Sequence, residues 1–326
     1  MKSMFMIAGI EKKVKINLFL SVFIFATFVI SACAHMPPDD FIAFQETELE
    51  INQTREILLD MVWVEGGSFE RGRALGTAGS GDINPVHTIT LSGFYISRDL
   101  VTQAQFEAIM GINPSWFTTS PDGNPSNLPV EGVNWYHAIV FSNRLSIMLG
   151  LMPAYEIEHH LQPGIWTSNP DDWGAIPTSS NGRWNAVRIV ADSTGYRLPT
   201  EAQWEFAAKG GNTRPNDFFF SGSNNANDVA WLLENSGGRT HEVRRLAPNG
   251  LGIYDLSGNV YEWVWDWLGG YSSEPMHDPL GVSSGSVRVM RGGGFRSPAS
   301  GAGIVGRGHS NPADTWPSGG FRLVRL

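Results

Sequence analysis

One cysteine, Cys33, is all that the 326 residues contain, which excludes an intrachain disulfide and any pair of thiolates acting together. Positive charge is also short: 23 Lys and Arg against 32 Asp and Glu leave a net charge of −9 at pH 7. Gripping phosphate takes a basic face, so nucleic acid is excluded as a partner. No internal repeat is evident, and after residue 211 there is no further long helical period, only short strands and turns. Present in quantity are Gly (37), Pro (19) and Trp (12), in a chain that is 42% hydrophobic. That mixture describes a loop-rich domain held by large aromatic side chains.

The N-terminus carries Lys12, Lys13 and Lys15, then a fifteen-residue apolar run from Ile16 to Ile30, then Ile30-Ser-Ala-Cys33. The run falls short of the about 20 residues of a membrane span and reads as a signal peptide. Its close, with small residues before a cysteine, resembles a bacterial lipobox, in which that cysteine is lipidated. The expected organisation is a signal peptide over 1–32, a lipid-anchored tether over 33–58 and one domain over 59–326, placed in the bacterial cell envelope at the outer membrane or cell surface. Cleavage before Cys33 removes four lysines and one glutamate, taking the net charge from −9 to −12.

Within the tether a short helix is expected over Thr47–Leu59. Met61-Val-Trp-Val64 opens the domain as a strand, a Gly-rich loop follows at 72–81, and His87-Thr-Ile-Thr-Leu91 alternates at period two before Phe94-Tyr-Ile. Thr102 caps a helix from Gln103 to about Met110, with Ala104, Phe106 and Ile109 inward. A second helix is expected from Trp135 to Leu149, with Ala138, Phe141, Leu145 and Met148 near helical spacing. Residues 156–192 read as one irregular excursion pinned by Trp166, Trp173 and Trp184. Thr200-Glu-Ala-Gln203 is a capping box opening a short helix to about Lys209.

Three blocks, Gly195-Tyr-Arg-Leu-Pro-Thr-Glu-Ala-Gln-Trp-Glu-Phe206, Asp255-Leu-Ser-Gly-Asn-Val-Tyr-Glu-Trp263, and Arg291-Gly-Gly with the closing Gly320-Phe-Arg322, resemble in sequence and order the formylglycine-generating enzyme family. That family is also called the sulfatase-modifying factor family. The resemblance covers 59–326 and implies a single α+β, C-type-lectin-like domain, loop-rich with short twisted sheets and a few helices. In the family's oxidases two cysteines in the closing segment hold copper, as soft thiolates do. Counted from Arg291, those positions are Ser297 and Ala302, neither of which can replace a redox-active thiolate. The serine that usually follows the glycine pair is Gly294, and the tryptophan of the Gly-Asn-x-Trp-Glu block is Tyr261. A second branch with this fold uses iron on a His-x-x-x-His-x-Glu set, and the eight histidines here show no such spacing. No copper, iron or oxidase chemistry is expected; the alternatives are an oxidase of the family or a structural envelope lipoprotein.

Asp255 and Glu262 flank a Gly-Asn turn and supply the hard oxygens that calcium takes, although the same spacing suits a merely hydrogen-bonded turn. The resemblance implies one structural calcium on Asp255, Gly258, Val260 and Glu262. The family's other calcium site does not carry over, because its side-chain ligand matches Val229. Between the framework positions Arg291, Gly292, Gly293, Arg307, Pro312, Gly320, Phe321 and Arg322, residues 296–318 mix side chains without period. Exchangeable residues between fixed points resemble the lipoprotein variable proteins of diversity-generating retroelements, and are the physics of an antibody-like binding site. The candidate ligand contacts are Arg296, Ser297, Ser300, Ile304, His309, Asp314, Thr315 and Trp316. The expected ligand is a protein or a glycan, with the membrane engaged through the N-terminal lipid.

Overall fold

The alternation in His87–Leu91 has a physical outcome: His87, Ile89 and Leu91 are buried and Thr88 is exposed, as period two requires of a strand with one wet face. The computed structural model describes residues 59–74, 83–212 and 218–326, which lie in one compact unit, Leu59–Leu326. Cys33, the apolar leader, the tether to residue 58 and most of the expected Gly-rich loop lie outside the described residues. Among the described residues no helix is long and apolar enough to cross a membrane.

Strands β1 (Met61–Val64), β2 (Gly67–Arg71), β3 (His87–Leu91) and β4 (Phe94–Ser97) open the domain. β2, a strand that the sequence reading does not assign, pairs antiparallel with β3 from Gly67↔Leu91 to Arg71↔His87. Its start allows this because a Cβ on Gly66 would lie 2.6 Å from the Leu91 carbonyl oxygen.

Three helices follow their caps. In α1 (Gln103–Met110), α2 (Trp135–Met148) and α3 (Glu201–Ala208) the residues Thr102, Asn134 and Thr200 each close a capping box, with Gln105, His137 and Gln203. One inward expectation is corrected. Ala104 of α1 is exposed, because Gln103 turns in instead and ties Phe117 O and Asn113 to the helix. Met148 is half exposed, because α2 ends there as the chain turns through Leu149. The 156–192 excursion forms a small sheet of β5 (Tyr155–Glu158), β6 (Trp166–Thr167) and β7 (Arg188–Ile189). Trp173 and Trp184 are buried and meet edge to face at 5.8 Å, while Trp166 lies half-buried under the Arg188 guanidinium.

The C-terminal third contributes β8 (Ala230–Trp231), β9 (Ser257–Gly258), β10 (Tyr261–Trp267), β11 (Met276–His277), β12 (Arg288–Arg291), β13 (Gly308–Ser310), β14 (Gly319–Gly320) and β15 (Val324–Arg325). One sheet runs β13-β12-β10-β14; another runs β1-β4-β15, so the last strand returns to the first ones. Val64, Ile89, Phe94, Ile96, Trp204, Phe206, Val264 and Val324 form one apolar core beneath these sheets. Two buried indole N–H groups outside this cluster find carbonyls, Trp135 Nε1 on Val264 O and Trp263 Nε1 on Val133 O.

Candidate functional site

Every framework arginine of the closing segment holds a carboxylate. Arg291, fully buried at the end of β12, donates to Glu201 and Glu205 of α3 at 2.8 and 2.9 Å and to Ile304 O. Arg307 donates twice to Glu201. Arg322 forks onto Glu262 of β10 at 2.6 and 2.9 Å. Such charge-assisted pairs with fixed geometry hold a chain where regular structure is sparse. Burial pushes the Glu201 carboxyl up, but Arg71, Arg291 and Arg307 outweigh it and hold it at about 2.

Between these clamps the backbone turns through Gly292 and Gly293 at φ +87° and +74°, where a Cβ on Gly293 would lie 2.9 Å from that of Ala302. The eight expected ligand contacts then separate by burial. Arg296, Ser300, His309, Asp314 and Thr315 are exposed and Trp316 is half-buried. Two expectations are corrected. Ile304, 2% exposed, belongs to the core because its N–H is drawn to Phe219 O beneath the surface. Ser297, 6% exposed, is a turn lock: its hydroxyl donates to Tyr261 Oη and accepts from Gly294 N.

Neither Ser297 nor Ala302, the positions at which the resemblance sets the family's cysteines, has the surroundings of a nucleophile. The Ser297 hydroxyl has Tyr261 and a backbone amide as partners, with no histidine among them. Ala302 is buried against Phe219, Phe220 and Leu232.

The structure adds residues that the sequence did not single out. Trp116 is 68% exposed, Leu233 56%, and Phe117, Arg239 and Tyr261 are half-buried. They join the segment through contacts: Phe117 meets Phe295 edge-on at 5.3 Å, Arg296 lies over Phe295, and Leu233 N donates to Ser297 O. Trp116 and Trp316 flank Gly132, whose N–H donates to Trp316 O and whose Cβ would meet the Trp116 ring at 3.2 Å. Trp316 rests on Trp263 at 5.4 Å. Ser300 and His309 are exposed on the turn Ala299–Gly301 and on β13, outside this set of contacts. The loop carrying Trp116 is hung on Glu131, whose Oε1 accepts from Trp116 N and Phe117 N at 2.6 and 2.8 Å. Burial pushes that carboxyl up to about 7. An aromatic pair in Asn113-Pro-Ser-Trp-Phe117 was the available signal, but exposed and buried aromatics read alike in a sequence.

The residues of the expected calcium set follow one another along the chain, from Asp255 through β9 to Glu262 of β10. Asp255 and Asn259 take left-handed φ of 56° and 60°, and Asp255 accepts only from neutral groups, Arg244 N and Asn259 Nδ2. Burial pushes its carboxyl up to about 6. Glu262 holds Arg322 through both oxygens, with the Trp204 indole also beside it. Both carboxylates are of the hard-oxygen type that calcium takes, and among the described residues Asp255 has no cationic hydrogen-bond partner. Among the described residues no three His, Cys, Asp or Glu side chains form a metal cluster. Val229 is buried.

Fold and site together define a loop-rich, C-type-lectin-like scaffold whose closing segment is clamped by arginines and presents an aromatic surface between the clamps. The chain belongs to the formylglycine-generating-enzyme family: residues 46–326 match the pattern described as "Sulfatase-modifying factor enzyme 1-like domain". It is 36% identical to the "Chaperone protein LppX" of Paenibacillus barcinonensis, over 82% of this chain and 89% of that protein. It is 30% identical to a formylglycine-generating enzyme of Thermomonospora curvata, over 80% of this chain and 88% of that protein. Among solved structures it is similar to Treponema denticola variable protein 1, with a TM-score of 0.72 and 38% identity, covering 81% of this chain and 94% of that one.

Proposed function

We propose that this is an exported, lipid-anchored protein of the bacterial cell envelope that binds a partner on its 296–318 face and performs no oxidation. The carrying observation is the division of labour in that segment. Arg291, Arg307 and Arg322 are fixed by ion pairs, while between them Arg296, Asp314 and Thr315 are exposed and Trp316 is half-buried, with exposed Trp116 and Leu233 joined to the segment by contacts. Tryptophan and arginine supply much of the energy at binding hot spots, and a rigid frame lowers the cost of ordering them. The likeness to a variable protein supports exchangeable contacts on this frame, and a relative named a chaperone protein supports a protein as the partner. Buried Ser297 and Ala302 at the family's cysteine positions weigh against the oxidase reading, as does a chain whose only thiol is Cys33.

The test places a photo-crosslinking residue at position 116 or 316 in cells of the source, with position 161 on the excursion as control. One partner protein should be trapped from 116 and 316 but not from 161, and Arg296→Ala with Asp314→Ala should weaken its capture at least tenfold. Equal trapping from all three positions, or conversion of a cysteine peptide to formylglycine by the purified protein with copper, would overturn the reading.

A further inference from the structure

Glu131 is fully buried, and successive residues of the loop that presents Trp116 are bonded to it. Its Oε1 accepts from Trp116 N and Phe117 N at 2.6 and 2.8 Å, and its own N–H donates to Ser115 Oγ at 3.3 Å. Its Oε2 is buried with no hydrogen-bond partner among the described residues. The Trp116 side chain is 68% exposed and buries little surface of its own, so its place depends on the backbone beneath it. Gly132 lets that backbone come close: at φ +73° it lacks a Cβ that would lie 2.8 Å from Pro114 O and 3.2 Å from the Trp116 ring. The loop's other ties are neutral, with Gln103 Nε2 on Phe117 O, Asn113 on Gln103 Oε1, and the Phe117–Phe295 contact.

No charged side chain answers Glu131. Arg239 lies over the Phe117 ring and donates to Thr119 O, and Arg296 lies over Phe295. Asp122 faces His241, and Glu242 accepts from Ser120 and Asn124 N. His137, on the helix that follows, is pushed down to about 4 by burial and is neutral above that. None of these pairs with Glu131, on which only burial and the two loop amides act. Burial outweighs the amides, which favour the anion, and lifts the carboxyl from 4.5 to about 7. Opening the loop would bring water to Oε2 and return the carboxyl towards its ordinary value. The closed loop therefore binds a proton more tightly than the open one. Its hold is complete below about 4.5, weakens as pH rises to about 7, and stays weakened above that.

We propose that Glu131 is a positioning residue whose protonation holds the Trp116 loop closed, so that partner capture on the 296–318 face is stronger in mildly acidic than in alkaline surroundings. This rests on the reading proposed for that face in taking Trp116 as a partner contact; the response of the loop itself is a property of the free protein.

The full chain labelled with 5-fluorotryptophan tests the loop without a partner. The Trp116 signal, assigned by its loss in Trp116→Phe, should shift with a midpoint at about pH 7. Glu131→Gln keeps an oxygen for both amides and cannot ionise, so the signal should then hold still from about pH 5 to 9. Trapping of the partner by a photo-crosslinking residue at position 316 should fall at least threefold from about pH 6 to 8 in the wild type, and should not fall in Glu131→Gln. If Glu131→Gln does not fold, the Glu131 Cδ resonance of the wild type decides alone: an inflection near 7 supports the switch and one near 4.5 overturns it. A Trp116 signal indifferent to pH, or one that titrates equally in Glu131→Gln, also overturns it. A titrating loop with constant trapping at position 316 overturns the gating and leaves partner capture standing. A titrating loop with no partner trapped at either pH sinks the reading of the face and the gating with it, but not the loop's own response.

Discussion

If calcium binds the Asp255–Glu262 turn as the family resemblance implies, Asp255 is the residue on which it would turn. Burial, more than the nearby Asp99 carboxylate, lifts its carboxyl from 3.8 to about 6. The folded state then holds the proton more tightly than the unfolded chain. Asp255 therefore lowers stability as pH rises from about 4 to about 6, and the loss persists above that. In chelator at pH 7.5, Asp255→Asn should raise the melting temperature. Calcium reverses the sign, because an ion that binds only the folded protein stabilises it by about 2.7 kcal/mol at 100 times its Kd. The wild type should gain several degrees on adding calcium and Asp255→Asn should gain none. A wild-type melting temperature indifferent to both calcium and chelator would remove the ion from this turn. The other buried acids follow the same logic with other partners. Glu262 shares its burial with Arg322, and Glu201 is so heavily outnumbered by arginines that its contribution is lost only as pH falls towards about 2.

At the scale of elements, the closing segment divides into frame and display, and that division can be measured. Replacing Arg296, Ser300, His309, Asp314 and Thr315 together by other polar residues should move the melting temperature by no more than a few degrees, since all five are exposed. Ile304→Ala removes a core side chain and should cost about 2–5 kcal/mol. Ser297→Ala leaves Gly294 N and Tyr261 without their partner and should cost about 1–3 kcal/mol. Equal losses from the five-fold and single variants would mean that the segment is one packed unit. The frame was only partly legible in the sequence, for a physical reason. Local signals act over a few residues, so the caps at Thr102 and Thr200 and the alternation of β3 could be read directly. Arg291 meets Glu201 from 90 positions away, and Arg322 meets Glu262 from 60, so nothing near either arginine announces its partner. Ser297 and Ile304 were expected at the surface for the same reason. Their burial is set by Tyr261 and Phe219, which approach from other parts of the chain. Trp116 was missed in the opposite sense, an exposed indole in a chain whose other tryptophans mostly build the core.

For the whole molecule, the same logic joins binding to location. A face that works by capturing a partner gains from being held where that partner is, because tethering replaces a free encounter with a raised local concentration. Cleavage before Cys33, as proposed, would take the net charge from −9 to −12, which gives no overall Coulombic attraction to an anionic membrane. A covalent anchor at Cys33 can hold the protein there, and the Lys12-to-Ile30 leader with Ile30-Ser-Ala before the cysteine is the sequence that would install it. Lipid adds about 0.8 kcal/mol per buried methylene, so more than one acyl chain gives stable attachment. Cys33→Ser should therefore leave folding of 59–326 unchanged, abolish incorporation of labelled fatty acid, and move the protein from the detergent phase to the aqueous phase or leave its leader uncleaved. If the substituted protein still partitions with detergent and is processed normally, the attachment lies elsewhere, and the binding face would then have to be positioned by its partner alone.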